Sequence, residues 1–161
     1  MYQWLVFLHI LGALLFFMAH GASAFMAFRL RRETQLERIR AILDLSNVAI
    51  PVAYMSLLLL LLAGIIAGIV GGWFRMGWIW AALVLLFVLA GGMIYYARRF
   101  YTPVRKAVGL PYREGRDMPA LPPASETEIA RLTQATNPMA LGGFSFAVVA
   151  VILWLMVFKP F

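Results

Sequence analysis

The chain has only two histidines, His9 and His20, and both fall inside one apolar stretch running from about residue 3 to residue 28. Eleven helical steps separate them, about three turns plus 20°, so the two rings share one face at depths about 16 Å apart. Imidazole buried in hydrocarbon is costly, which makes a stacked pair a functional feature by default: a metal or cofactor ligand, or a proton carrier. Following the same seam from His9 gives Ala13, Phe16, His20, Ser23 and Ala27, with Gly12 and Gly21 beside it. Small and flat neighbours leave space for a bulky planar guest, and haem is the commonest such partner of neutral imidazole in a helix bundle. On this reading His9 and His20 are the iron ligands, Phe16 packs between the two levels, and Ser23 or a carbonyl orients His20 through its second ring nitrogen. His20 lies near mid-membrane, whereas His9 is only a turn or two from the surface, where an interfacial role also suits it.

A haem with two axial ligands needs a second donor, and the chain supplies no third histidine. Matching depths across antiparallel spans brings Tyr54, Met55 and Leu58 level with His20, and of these only Met55 is a recognised soft ligand. A homodimer is the other route, since two-fold symmetry sets each histidine against its copy. A copper site is disfavoured, because Met18 and His20 are two residues apart and face different sides of a helix. Carboxylate-coupled transport is disfavoured as well, since every Asp and Glu falls outside the apolar segments. Tyr54, Ser56 and Ser145 are too few to line a polar route for a transporter. The bland alternative is a membrane assembly or interaction subunit whose histidines serve as interhelical hydrogen-bond donors.

The elements that position these residues follow from composition. Hydrophobic residues make up 63% of the 161 and charged residues 13%, well below the quarter-charged usage of soluble domains, so the chain is an integral membrane protein. With no cysteine, disulfides, iron–sulfur clusters and thiol chemistry are excluded. The net charge of +7 is assigned to anionic headgroups rather than nucleic acid, because the basic residues crowd beside apolar spans. Residues 1–24 superficially resemble a signal peptide ending in small residues. No basic residue precedes Arg29 and the apolar run is too long, so a retained first span is expected.

Four segments reach the length needed to cross about 30 Å of hydrocarbon: residues 3–28, 48–70, 78–97 and 138–158. They predict a single all-α transmembrane domain, a four-helix bundle. Twelve Lys and Arg residues fall in the two long connections, 29–47 and 98–137, against Arg75 and Lys159 on the other side. That bias predicts cytoplasmic loops and both termini outside, in a bacterial inner membrane. Tyr2, Trp4, Trp73, Trp78, Trp80 and Trp154 then mark the outer interface, and Tyr95, Tyr96, Phe100 and Tyr101 the inner one. Thr34-Gln35-Leu36-Glu37 and Ser125-Glu126-Thr127-Glu128 read as capping boxes; the first opens either a short amphipathic helix along the membrane surface or an extension of the first or second span, and the second opens a short helix in the long loop. Pro51 is placed near the start of span two, where its missing N–H costs little. The Gly64/Gly68 pair, Gly91/Gly92 and Gly142/Gly143 predict close helix packing and leave oligomerisation open.

The run Phe7-Leu8-His9-Ile10-Leu11-Gly12-Ala13, with its basic end at Arg29 to Arg32, resembles the start of a broad bacterial superfamily. That group holds the copper-resistance D-like membrane domains and the HemJ-type protoporphyrinogen oxidases. The resemblance implies a multi-pass membrane protein in which His9 takes part in binding b-type haem, in electron transfer or haem-linked redox chemistry with a membrane redox partner. The lysine that accompanies this histidine in the HemJ type has no counterpart here, because Lys106 and Lys159 both lie outside the spans.

Overall fold

A computed structural model describes residues 1–112 and 117–161; the predicted loop charges Arg113, Glu114 and Arg116 lie outside them. Among the described residues six α-helices carry the fold: α1 (Tyr2–Arg32), α2 (Leu36–Val70), α3 (Gly77–Tyr96), α4 (Thr102–Ala107), α5 (Glu126–Ala135) and α6 (Pro138–Phe158). Among the described residues four helical stretches are long and apolar enough to cross a membrane. The bundle is built from two antiparallel pairs, α1 with α2 and α3 with α6, joined mainly where α1 passes α6. Although consecutive in sequence, α2 and α3 do not form a packed pair.

The helices outrun the apolar segments that predict them. Nothing in a helix's hydrogen bonding requires it to stop at the hydrocarbon boundary, and α1 continues through Arg29, Arg31 and Arg32. Likewise α2 begins at Leu36, so of the two placements open to Leu36, Ile39 and Leu43 the chain takes the extension of span two. The first connection shrinks to residues 33–35. Pro51 consequently sits well inside α2, where it leaves the Asn47 carbonyl without its usual amide donor. At the far end of α3 a π-helical turn, Ala97–Tyr101, leads into α4. The helix at 126–135 starts where its capping box predicts, with Ser125 Oγ accepting from the Glu128 amide at 3.3 Å.

The Thr34 capping box does not form. Instead the preceding residue does the work: Glu33 Oε1 accepts from the amides of Thr34 at 3.1 Å and Gln35 at 3.3 Å, while Oε2 meets Arg29 at 3.1 Å. The amide of Gln35, then that of Thr34 and the charges of Arg29 and Arg38, hold the Glu33 carboxyl below its ordinary value. A depressed folded-state pKa contributes stability that is present above the unfolded value, about 4.5, and is lost as pH falls through the folded one. Glu33→Gln is therefore expected to flatten the acid limb of a thermal-stability profile below about pH 4.5, while profiles near neutrality keep their shape. An unchanged acid limb contradicts this cap.

The most completely buried apolar cluster lies at the basic end, outside the span centres. Leu30, Ile39, Leu43, Val104, Ala107, Val108 and Ile129 pack together from α1, α2, α4 and α5. Arg105 ties this end, donating to Asp44 at 3.0 Å and to the carbonyls of Leu43 and Pro111. Arg40 Nε donates to the Val108 carbonyl at 2.8 Å. At the opposite end Lys159 Nζ stands 4.1 Å from the Trp73 ring centroid, and Trp73 Nε1 donates to the Tyr2 hydroxyl at 3.0 Å. Trp78, expected at the interface, is instead buried with Ile79, Ala82 and Leu155.

Candidate functional site

Along α1 the buried positions are Gly12, Phe16, Ala19, Ala27 and Leu30. Projected at about 100° per residue, His9 and His20 lie roughly 50° to one side of that line, and both are half-buried. Phe28, which approaches Gly142 of α6 at 4.0 Å, lies further round in the same direction. The histidines thus flank the α1–α2 seam on the side turned toward α6, rather than sitting at its centre.

His9 is held by α2. Its Nδ1 is 2.8 Å from the Leu60 carbonyl oxygen, which makes Nδ1–H the donor, and its ring fills the space that a side chain on Gly64 would take: a Cβ there would fall 2.6 Å from Nδ1. Gly64 is therefore the socket for an imidazole. Gly12, expected to leave room for a guest, has that room taken by α2, since an added Cβ would meet the Leu60 backbone nitrogen at 2.7 Å. With Nδ1 engaged, Nε2 has no hydrogen-bond partner among the described residues and is not enclosed. An imidazole fixed through Nδ1–H to a carbonyl, with Nε2 free, is the arrangement seen in oriented metal-ligating histidines.

His20 stacks parallel to Phe16, with centroids 6.0 Å apart and planes at 4°. Its Nδ1 is buried and unpartnered, so Ser23, itself half-buried, does not orient it. Ser145 Oγ of α6 is a second buried and unpartnered atom. The Phe28–Gly142 approach sets Ser145 level with about residue 25 of α1, roughly 7.5 Å along the axis from His20. Ser56 spends its hydroxyl on the Val52 and Ala53 carbonyls of its own helix.

Met55 does not join this group. It is 66% exposed while its neighbour Ser56 is 4% exposed, and nine helical steps place it about 180° around α2 from Gly64. Tyr54 is exposed too. The two cavities described, one by Gly92, Tyr96 and Phe144 and one by Phe28, Arg31 and Met139, both lie away from the histidines. Sequence reasoning missed the Gly64 socket. The signal was present in a glycine at the depth of His9 on an antiparallel partner, but helix register decides the match.

Four long apolar helices around an intramembrane histidine pair define a polytopic integral membrane protein. The chain belongs to the family of predicted integral membrane proteins designated DUF2269, whose model matches residues 3–160. No curated protein and no solved structure matches it.

Proposed function

We propose that this is a b-type haem-binding protein of the bacterial inner membrane, with both long loops cytoplasmic, serving electron transfer to a membrane redox partner. One observation carries the reading: His9 is oriented through Nδ1–H by the Leu60 carbonyl and leaves Nε2 free. His9 is the residue that would hold the group, through Nε2. The HemJ-like run around His9 supports the same residue. Haem supplies one-electron chemistry when bound; the protein's part is to fix the ring tautomer and seat it against Gly64. His20 stands about 16 Å along the helix and Met55 faces away, so a further donor to the same group would have to be supplied by another copy of the chain. His20, stacked on Phe16, borders the same side and limits how a guest can lie.

The test is the absorption spectrum of detergent-purified protein, oxidised and then reduced. The expected result is a Soret band that His9→Ala abolishes with helicity intact, and that falls away on dilution to monomer. Colourless wild-type protein reconstituted with haem overturns the reading. A second reading is favoured by the same contact seen differently. The His9–Leu60 bond and the Gly64 socket already give the ring a packing role, and neither described cavity adjoins a histidine. An assembly subunit would remain colourless, and His9→Ala would weaken α1–α2 association alone.

A further inference from the structure

We propose that the groove between the end of α1 and the start of α6 is a binding site for one anionic phospholipid, its phosphate held by Arg31 and Arg32. The groove, about 280 Å³, is lined by Phe28, Arg31 and Arg32 on one wall and by Pro138 and Met139 on the other. Both arginines are exposed and, among the described residues, neither is in a salt bridge. Arg29, Arg40, Arg105 and Arg131, by contrast, are each matched to a carboxylate. The nearest acid in sequence, Glu33, is already committed to Arg29 and two amides. The groove therefore carries two uncompensated guanidinium groups at the edge of the apolar span, at the level where headgroups lie. Guanidinium matches phosphate oxygens through its planar fork of donors.

The apolar half of the site suits an acyl chain. Phe28 and Met139 are exposed rings and thioether at the rim. Immediately along α6, Gly142 has only the Phe28 ring at 4.0 Å and Gly143 has nothing within 4 Å, which leaves a shallow track toward the bilayer centre. A lipid seated there touches both helix pairs at their main junction, α1 with α6. It would act as a clamp across the seam that joins the two helix pairs. Charge complementarity, the two-part lining and the position at the membrane edge together select a lipid over a soluble anion.

The probes are phosphatidylglycerol, phosphatidylcholine and inorganic phosphate, added to the full chain purified in a zwitterionic detergent. Native mass spectrometry counts retained lipid and thermal unfolding reads stabilisation. Wild type is expected to retain one phosphatidylglycerol and to unfold at higher temperature with it. R31Q/R32Q is expected to lose retention at least tenfold, while R98Q/R99Q keeps it. R31K/R32K preserves charge and insertion, and is expected to retain intermediate amounts because the fork geometry is gone. Equal loss in R98Q/R99Q, equal retention of phosphatidylcholine, or full stabilisation by inorganic phosphate alone each overturns the site.

Discussion

Gly12→Leu is expected to lower stability by about 3 kcal/mol, at the upper end of overpacking costs, by forcing α1 away from α2. The reason is the identity of the atom met. A Cβ on Gly12 falls 2.7 Å from the backbone nitrogen of Leu60, and a backbone inside a helix has no rotamer to change. Even Gly12→Ala, which gains about 1 kcal/mol of helix propensity, is expected to be net destabilising. Gly64→Ala should be milder, since the atom met is the His9 ring at 2.6 Å, which can swing aside at the loss of its bond to Leu60, worth about 1 kcal/mol. Gly21 is the internal control. It is helical with nothing within 4 Å, so Gly21→Ala is expected to be neutral or to stabilise by up to about 1 kcal/mol. Unfolding by heat or by a denaturing detergent, followed by circular dichroism, ranks the four. A Gly12→Leu protein as stable as Gly21→Ala would refute the α1–α2 packing.

Apolar run length made all four spans legible in the sequence, because hydrocarbon thickness dictates a minimum that soluble helices rarely reach. Their ends were not legible. Hydropathy changes where the membrane stops, but backbone hydrogen bonding does not, so the sequence leaves Leu36, Ile39 and Leu43 open between a surface helix and an extension of a span, and only the structure shows that they extend α2. Glu33 outcompeted the Thr34 capping box because its longer side chain reaches two amides and Arg29 together. The histidine face was located to within about 50° by periodicity. Periodicity could not say what occupies the space beside it. That depends on register between helices far apart in sequence, which put Leu60 against Gly12 and Gly64 around His9. Met55 matched on depth and failed on rotation, for a reason of the same kind: depth follows from counting residues, whereas facing follows from which side of α2 meets α1.

Truncating Leu30 or Ile39 to alanine is expected to cost about 2–5 kcal/mol each. Both are 1% exposed, and they share their cluster with Val104, which is 0% exposed. Location explains why the cost is high. Inside the bilayer, lipid tails are as apolar as the side chains they replace, so burial there has little hydrophobic drive and packing rests on dispersion and hydrogen bonds. At the basic end water is the alternative to burial, and removing apolar area from it stabilises by roughly 25 cal/mol per Å². The four helices that meet there, α1, α2, α4 and α5, include both halves of the first pair and both helices of the second connection, so a cavity among them loosens elements that α1–α2 packing alone does not hold. Arg105, bridging Asp44, Leu43 and Pro111, loses its register with the cluster. Leu153→Ala on the exposed face of α6, 62% exposed, supplies the comparison and is expected to fall within about 0.5 kcal/mol of wild type. Equal losses for Leu30→Ala and Leu153→Ala in reversible detergent unfolding would show that the basic end is not the stability centre of the fold.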